Sequence, residues 1–421
     1  MKRIGFISTR IAGTDGVSLE TYKWVKVLER NGYECFFFAG KLDTPEDRSL
    51  LEPKAHFEHP EIAEINELIF GRTTRERWLT EKIHSIAKEL KEKLYEFYRE
   101  FKIDLIIPEN ALAIPLNIPL GIAITEFIAE TGIPCIAHHH DFSWERKRFL
   151  VNAVQDYILY AFPPNLPSIR HVVINSMASR QLSYQRGVSN VVIPNVFDFA
   201  NPPREQNPKA VQLRKELGFS DEDLFVLQPT RVVPRKWIER SVELVSLLDE
   251  KYMKKRRLVI SHEVEPGDEG DVYQERIREY AERLGVELIF IGDRIGPMRM
   301  LGVKSDRKYS IDDAYQAADI VSYPSGYEGF GNAFLEAVYF KKPIVVNRYS
   351  IFVEDIEPYG FEVIKFESFI TKETINQLMD FLRPRKLISS VEKNYEIGKR
   401  YFSFEVLEKK LLYLINSFEG K

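Results

Sequence analysis

Short apolar runs with strand character alternate with helix-like segments along nearly the whole sequence. In the first half the strand-like runs are RIGFIS, ECFFFAG, IDLIIPE, PCIAHHH and HVVINS. The alternation stops at IPNVFDFANPPREQNPKAV and restarts with LFVLQPT, RRLVIS, ELIFIG, DIVSYPS and KPIVVN. Strands that alternate with helices in this way are typical of parallel α/β sheets. The sequence therefore predicts an α/β fold in two units, with the boundary near residues 197–210.

A chain of 421 residues fits two domains better than one hydrophobic core. We expect one α/β domain at residues 1–200, a second at 201–385, and C-terminal helices at 386–421. The tail SFEVLEKKLLYLINSF is amphipathic, so its apolar stripe needs a partner surface. Residues 43–79 are polar and without clear periodicity, which predicts an insertion or a mobile loop.

Composition and charge exclude several classes of protein. A net charge of −4 argues against a general nucleic-acid binder. Cys35 and Cys135 lie in apolar runs, and two such cysteines supply neither a disulfide framework nor a zinc site. The run ALAIPLNIPLGIAI is too short to span a bilayer, and MKRIGFIST reads as a first strand. We therefore expect a cytoplasmic protein, and the abundant Lys, Glu, Tyr and Phe suggest a thermophile.

Residues that follow strands are candidates for ligand binding, because ligands of parallel sheets bind at the carboxyl ends of strands. Gly13 and Gly16 follow the first strand and precede a helix, where free N–H groups could bind a phosphate; a plain turn explains them equally well. Arg231 and Lys236 flank a turn before a helix in the second half. Two such cations suit a diphosphate, and a solvated basic loop is the alternative.

The segment HHHDFSWERKRF follows the fourth strand of the first half. Three histidines and an aspartate could suggest a metal, but neighbouring strand residues point to opposite faces and cannot all converge on one ion. We therefore predict no metal site and one histidine that points into a cleft. The basic run 146–148 could bind a small acidic or phosphorylated ligand, or it could be a solvated helix face.

The stretch YPSGYEGFGNAFLEA, residues 323–337, is the most specific signal. Gly329 and Gly331 let the backbone approach a ligand, and the following helix directs its positive end at an anion. Glu328 precedes this helix and Glu336 lies about two turns along it, too far away to share one ligand atom. Two carboxylates so spaced suit hydroxyl groups on either side of an anion, as in a nucleoside diphosphate sugar. Two surface glutamates would leave the glycine pair unexplained.

Together these stretches resemble the retaining glycosyltransferases of family four, which have the GT-B fold. EGFGNAFLE resembles the Glu-x7-Glu donor motif of that family, and QPTRVVPRKW resembles its Arg/Lys diphosphate clamp. VIPNVFDF, AADIVSYPS and the first glycine loop are similar to further family segments, in the expected order. The resemblance implies two Rossmann-like domains that face each other across a cleft, the first for the acceptor and the second for the nucleotide sugar. It also implies that the C-terminal helices return to the first domain.

The resemblance assigns roles to individual residues. Glu328 would bind hydroxyls of the transferred sugar, and Glu336 would bind the ribose. Arg231 and Lys236 would neutralise the leaving diphosphate. The remaining donor contacts would come from Gly16, Gly329, Phe330, Gly331 and Asn332.

The histidine that lines the reaction centre would be His140. The triple histidine leaves a register shift of one residue open, with His139 as the alternative. The first loop reads GTDGV instead of the usual glycine pair, so the amide that contacts phosphate there is not fixed.

The implied activity is metal-independent, cofactor-free and retaining. A hexose would move from a UDP-, ADP- or GDP-linked donor to a small acceptor such as a sugar, a sugar phosphate or a phosphoglycerate-type compound. A sugar phosphorylase, a nucleotide-sugar epimerase and a nucleotide-sugar sensor are the alternatives. We expect the pocket for the nucleotide base within residues 292–309. We expect neither a nucleic-acid partner nor a transmembrane segment. The sequence is compatible with a homo-oligomer.

Overall fold

The protein forms two compact units. A computed structural model describes residues 1–13, 15–203, 207–249, 255–262, 268–299 and 306–419. Unit 1 comprises Met1–Pro194 together with the C-terminal segment from Leu407, and unit 2 comprises Asn195–Val406. Of the residues expected to form a base pocket, 300–305 lie outside the described ones.

Unit 1 is built on one parallel sheet. Its strands are β1 (Arg3–Ile7), β2 (Glu34–Ala39), β3 (Ser49–Leu51), β4 (Leu105–Pro108), β5 (Cys135–His139), β6 (Ile169–Val173) and β7 (Asn190–Val192). They lie in the order β3-β2-β1-β4-β5-β6-β7. The order reverses between β1 and β4, which pair in parallel from Ile4↔Leu105 to Ile7↔Pro108. Such a reversal opens a crevice at the carboxyl ends of the two strands.

Helices connect these strands. They are α1 (Gly16–Arg30), α2 (Pro60–Ile69), α3 (Arg77–Phe101), α4 (Ile118–Thr131), α5 (Lys147–Leu150), α6 (Gln155–Ala161) and α7 (Ser176–Arg186). The longest, α3, buries Leu79, Ile83, Ile86, Leu90 and Leu94 along one face. This spacing of three to four residues gives an amphipathic helix with its apolar stripe towards the core.

The prediction of an irregular insertion or mobile loop at residues 43–79 is wrong. β3 extends the sheet by pairing with β2, from Phe37↔Ser49 onwards. Ile62, Ile65 and Ile69 of α2 are buried in the core of unit 1. These three isoleucines have helical spacing, but the charged residues around them hide the periodicity in the sequence.

Unit 2 has a second parallel sheet. Its strands, with a short separate pair, are β8 (Val226–Gln228), β9 (Arg257–Ile260), β10 (Glu287–Phe290), β11 (Ile295–Gly296), β12 (Tyr309–Ser310), β13 (Ile320–Tyr323), β14 (Ile344–Asn347) and β15 (Ile364–Phe366). The main sheet has the order β10-β9-β8-β13-β14-β15, and β11 pairs with β12. Here the order reverses between β8 and β13, which pair at Ile320↔Val226.

The helices of unit 2 are α8 (Pro208–Glu216), α9 (Ile238–Ser246), α10 (Asp268–Arg283), α11 (Ile311–Ala317), α12 (Asn332–Tyr339), α13 (Lys372–Phe381) and α14 (Pro384–Tyr401). The helix α14 belongs to this unit because Val391 lies in its hydrophobic core and the Tyr395 hydroxyl donates to the Phe199 carbonyl at 2.8 Å. The sequence predicts that residues 386–421 return to the first domain; most of α14 falls in this range and groups with unit 2 instead.

The last helix, α15 (Phe404–Glu419), groups with unit 1 from Leu407 onwards. Lys410 Nζ donates to the Val192 carbonyl at 2.7 Å, and the Arg170 guanidinium lies over the Phe418 ring at 4.8 Å. Among the described residues, no helix has both the length and the apolar character needed to cross a bilayer.

Candidate functional site

In unit 2 the predicted residues gather at the carboxyl ends of β8 and β13. From β8 the chain passes through Arg231 to a 3₁₀ turn at Pro234–Lys236. From β13 it passes through Glu328 to α12. Adjacent parallel strands bring the loops after them to one edge of the sheet, which is why the two motifs meet. The Gln228 side-chain amide donates to the Lys236 carbonyl at 3.0 Å and so ties the turn to the end of β8.

Glu328 is held by two cations of this turn. Lys236 Nζ forms an ion pair with Oε1 of Glu328, and Arg235 Nη1 lies 3.1 Å from Oε2. Glu328 and Lys236 are 7% and 8% exposed. A buried charge is tolerated only when it is paired. The pairing therefore fixes the position of both side chains.

The two sides of this ion pair shift each other's pKa. Burial by itself raises the pKa of the Glu328 carboxyl, but Lys236 and Arg235 outweigh burial and hold it below its ordinary value. Burial lowers the pKa of Lys236 to about 8; Glu328 opposes this shift, and Arg235 and Arg231 add to it. Lys236 is therefore mostly charged at neutral pH, and an anion bound beside it would make that charge more stable.

Sequence reasoning missed Arg235 and His262 in this cluster. His262 follows β9, and its Nδ1 lies 2.9 Å from the Ser261 hydroxyl. The pKa of His262 is lowered to about 4, mainly by burial, and the charges of Lys236 and Arg231 contribute to this shift. Arg231 itself is exposed, yet its charge acts on both of these groups. The position of His262 after a strand was the signal that could have identified it.

Two positions in the loop before α12 require glycine because neighbouring side chains approach the backbone closely there. Gly331 has φ +141°, and a Cβ there would overlap the Tyr349 hydroxyl, which donates to the Phe330 carbonyl at 2.7 Å. At Gly326 a Cβ would lie 2.5 Å from the indole of Trp237. The loop that carries Glu328 and Gly329 therefore packs closely against the side chains of Trp237 and Tyr349, at two positions that only glycine allows.

The helix α12 begins at Asn332, whose Oδ1 accepts from Asn195 Nδ2 at 2.7 Å. Glu336 lies in its second turn and accepts from the Tyr315 hydroxyl at 2.7 Å. Tyr315 is fully buried; burial raises its pKa well above the ordinary value, and Glu336 adds to the shift. The two glutamates of the motif are therefore held by different partners, Glu328 by cations and Glu336 by a tyrosine.

Gly16 and His140 lie in unit 1. Gly16 is the first residue of α1, which follows β1. The Asp15 carboxylate accepts from the backbone N–H groups of Val17 and Ser18 at 3.1 and 3.2 Å, and Arg10 lies 3.2 Å from it. The expectation that the glycine turn leaves its N–H groups open is therefore not met at Val17 and Ser18.

The three histidines at the end of β5 separate onto two faces, with His140 directly after the strand. His139 Nε2 lies 3.0 Å from His171 Nδ1. His138 Nδ1 and His140 Nε2 lie 2.8 and 3.3 Å from the same oxygen, Oε2 of Glu109. Glu109 follows β4, beside the reversal of strand order, so His140 and not His139 shares the carboxylate at that point.

Among the described residues, one group has the side chains and spacing to hold a metal ion. It consists of Glu109, His138 and His140, whose ligand atoms all lie within 4.8 Å of one another. Strand alternation removes His139 from this group but leaves the other two histidines together. The separations of 2.8 and 3.3 Å onto one carboxylate oxygen are hydrogen-bond lengths. We therefore interpret the group as a hydrogen-bonded trio.

The basic run after β5 is only partly neutralised. Arg146 Nε donates to Asp141 at 2.8 Å, and Asn110 also donates to that carboxylate at 2.8 Å. Lys147 and Arg148 are exposed and have no ion-pair partner within the described part of the chain. Although the Arg148 side chain is exposed, its guanidinium lies over the Phe149 ring at 4.5 Å, and partial burial there lowers its pKa; the neighbouring Arg146 adds to the shift.

Comparison with known proteins identifies relatives along the whole chain. The family model Glycosyl transferases group 1 matches residues 211–382. The mannosylglucosylglycerate synthase of Thermotoga maritima is 34% identical over 435 residues, covering 96% of this chain and 98% of the relative. The mannosylglucosylglycerate synthase of Petrotoga mobilis is 32% identical over 411 residues, covering 94% of this chain and 93% of the relative.

Solved structures share the architecture at low identity. The sucrose-phosphate synthase of Thermosynechococcus elongatus superposes with a TM-score of 0.67 at 14% identity, covering 100% of both chains. Anabaena HepE in complex with UDP-glucose gives a TM-score of 0.64 at 14% identity, covering 99% of this chain and 100% of that chain. These similarities confirm the predicted GT-B fold. The chain belongs to the glycosyl transferases group 1 family and is a glycosyltransferase.

Proposed function

We propose that the protein is a retaining hexosyltransferase that uses a nucleoside diphosphate sugar without a metal ion. Because both relatives above are mannosylglucosylglycerate synthases, we take the transferred unit to be mannosyl and the acceptor to be glucosylglycerate. The solved structure of HepE with UDP-glucose supports a sugar nucleotide as donor on this fold.

The observation that carries this proposal is the cationic cluster at the carboxyl ends of β8 and β13. Arg231, Arg235 and Lys236 converge there, next to the glycine-opened start of α12. Cleavage of the sugar–phosphate bond puts negative charge on the departing diphosphate. Fixed cations and the positive end of a helix stabilise that charge without reorganisation, which is the role that a divalent ion plays elsewhere.

The two glutamates then bind the two ends of the donor. Glu328, paired with Lys236 and Arg235, accepts hydrogen bonds from hydroxyls of the transferred sugar and keeps Lys236 protonated. Glu336, oriented by Tyr315, accepts from the ribose hydroxyls. The segment between them supplies backbone contacts to sugar and phosphate from Gly329, Phe330, Gly331 and Asn332.

Retention follows from attack on the face that the diphosphate leaves. The bond between the anomeric carbon and the phosphate oxygen breaks, and the acceptor hydroxyl oxygen bonds to that carbon on the same face. Its proton passes to the departing phosphate oxygen, so no acid–base pair of glycosidase type is needed. His140 lines the reaction centre in this proposal, and Gly16 approaches the donor phosphates.

The acceptor carries a glycerate carboxylate, which needs a cation in unit 1. Lys147 and Arg148, exposed after β5 and without an ion-pair partner among the described residues, supply it. Arg148 can bind a carboxylate in a bidentate manner. Arg146 is a weaker candidate because Asp141 already holds it.

A donor panel tests the proposal. The enzyme is incubated with glucosylglycerate and GDP-, UDP- or ADP-linked mannose or glucose, and mass spectrometry scores the nucleoside diphosphate and the transfer product. We expect one donor to give a product heavier than the acceptor by one hexosyl unit. Turnover that requires added inorganic phosphate would indicate a phosphorylase, and donor binding without turnover would indicate a sensor.

The chain offers a matched control for the cationic cluster. Lys342, like Lys236, is a lysine of unit 2 whose pKa burial lowers to about 8. Lys342 follows the C-terminal end of α12, and its Nζ donates to the carbonyls of Gln316 and Ala318. Lys236→Met should abolish transfer, whereas Lys342→Met should reduce stability and leave transfer per folded molecule intact. Equal loss in both variants would contradict the assignment of Lys236.

A further inference from the structure

We propose that Glu109 is a positioning residue that fixes the ring orientation and the tautomer of His140. The trio of Glu109, His138 and His140, of which the first two are buried and His140 is largely buried, lies at the reversal of strand order in unit 1. The inference depends on the proposed function only for the place of His140 in the reaction; the geometry of the trio stands by itself.

The hydrogen bonds determine which ring nitrogens carry protons. An ionised carboxylate only accepts hydrogen bonds, so each ring nitrogen that contacts it must be an N–H. His138 is therefore protonated at Nδ1, and His140 is protonated at Nε2. His138 Nε2 is buried and has no partner among the described residues, as suits a bare lone pair. The lone pair of His140 is then on Nδ1, the only ring nitrogen left to accept a proton or a hydrogen bond.

The surroundings hold both rings in place. The His138 ring stacks on Trp24 with 4.0 Å between centroids, and it lies 4.3 Å from the His140 ring. The backbone N–H of His140 donates to Asn110 Oδ1 at 3.0 Å. Asn110 directly follows Glu109 and has φ +57°. The same turn thus anchors both the backbone and the ring of His140.

Titratable and charged groups face Glu109 from more than one element. Its own two histidines contact it, and α1 contributes the buried ion pair of Glu20 and Lys23, at 2.8 Å. Asp141, paired with Arg146, lies beyond His140.

Protonation of Glu109 changes the bonding of the trio. Burial raises the pKa of Glu109 to about 7; His140 opposes this shift, and Glu20 adds to it. Burial keeps His138 neutral by lowering its pKa to about 3, and it also lowers the pKa of His140. Above about pH 7 the carboxylate therefore accepts from both rings. Below that pH the protonated acid donates to one ring, which must take its other tautomer.

Nitrogen-15 NMR of histidine-labelled enzyme reads the tautomers without any substrate. The His140 signals are assigned by their loss in His140→Gln. At pH 8 we expect an Nε2–H tautomer for His140, with a change in the ring signals of the trio near pH 7 that is absent in Glu109→Gln. An Nδ1–H tautomer for His140 in the wild-type enzyme at pH 8 would overturn the proposal, and only the assignment variant His140→Gln has to fold for this reading.

The kinetic readout uses a control on the same strand. In the wild-type enzyme kcat should fall as the pH is lowered through about 7, and Glu109→Gln should lose this limb. His139→Gln alters the neighbouring histidine, which bonds to His171 on the opposite face, and should keep the limb. A limb that persists unchanged in Glu109→Gln would show that Glu109 is merely structural. If no donor is turned over, the proposed function fails while the NMR measurement still decides this one.

Discussion

The two glutamates of the donor motif should fail in different ways when each is changed to glutamine. Glu336→Gln removes the negative acceptor assigned to the ribose, which is present in both the donor and the nucleoside diphosphate product. Loss of one hydrogen bond to a charged group costs about 1.5–3 kcal/mol. At about 1.4 kcal/mol per decade, the diphosphate should bind roughly tenfold to a hundredfold more weakly.

Glu328→Gln should leave diphosphate binding intact, because the product lacks the transferred sugar. In the structure Glu328 forms ion pairs with Lys236 and Arg235. Without the Glu328 carboxylate, both cations are available to pair with the diphosphate. Affinity for the product should therefore be unchanged or higher, while transfer from the donor is lost. Because Glu328 also raises the pKa of Lys236, its removal lowers that pKa, and the titration is therefore best made well below pH 8, at about pH 6.5, to favour the charged lysine.

Isothermal titration with GDP, UDP and ADP measures this difference directly. Glu392→Gln is the matched control, since Glu392 is an exposed carboxylate of α14 that pairs with Lys341. It should bind like the wild-type enzyme. If both motif variants bind the diphosphate equally well, or if Glu328→Gln alone loses it, the assignment of the two roles is wrong.

Three further predictions concern the cationic cluster and the glycine loop before α12. As the pH rises through about 8, the free enzyme loses the proton of Lys236, so kcat/KM measured against pH should fall there and Lys236→Arg should move that limb upwards. Transfer should survive EDTA, because Arg231, Arg235 and Lys236 supply the positive charge; activity that is abolished by the chelator and restored by magnesium or manganese would contradict this. Gly331→Ala should lower the free energy of unfolding by about 1–3 kcal/mol in urea titrations, because of its φ and the overlap with Tyr349. Gly16→Ala, whose Cβ meets nothing within 4 Å, should not lower it.

The sequence was sufficient for the architecture because the strands of both sheets are continuous apolar runs with helices between them. β1, β5 and β14 lie within the runs RIGFIS, PCIAHHH and KPIVVN. Short strands with polar residues, such as β3, carry too few apolar positions to be recognised alone. They are strands because a neighbour pairs with them, and such pairing is a tertiary property.

The sequence predicted those site residues that lie close together in the chain, and it did not predict those whose partners are distant in sequence. Glycine spacing and the two glutamates identified the loop before α12. Arg235 was missed because its contact with Glu328 depends on the 3₁₀ turn at Pro234–Lys236. This turn brings both Arg235 and Lys236 to Glu328, and the sequence does not reveal it. Glu109 was missed because its histidine partners come 29 and 31 residues later, and a single glutamate after a strand has no pattern.

The stereochemistry of the product tests the central claim most directly. The enzyme is given glucosylglycerate and the α-linked sugar nucleotide that it turns over, and the one-bond carbon–hydrogen coupling at the new anomeric centre is measured by NMR. A retaining transfer supported by the cluster around Glu328 and Lys236 predicts an α-linked product that forms in the presence of EDTA. A β-linked product would contradict the account, as would the absence of any product.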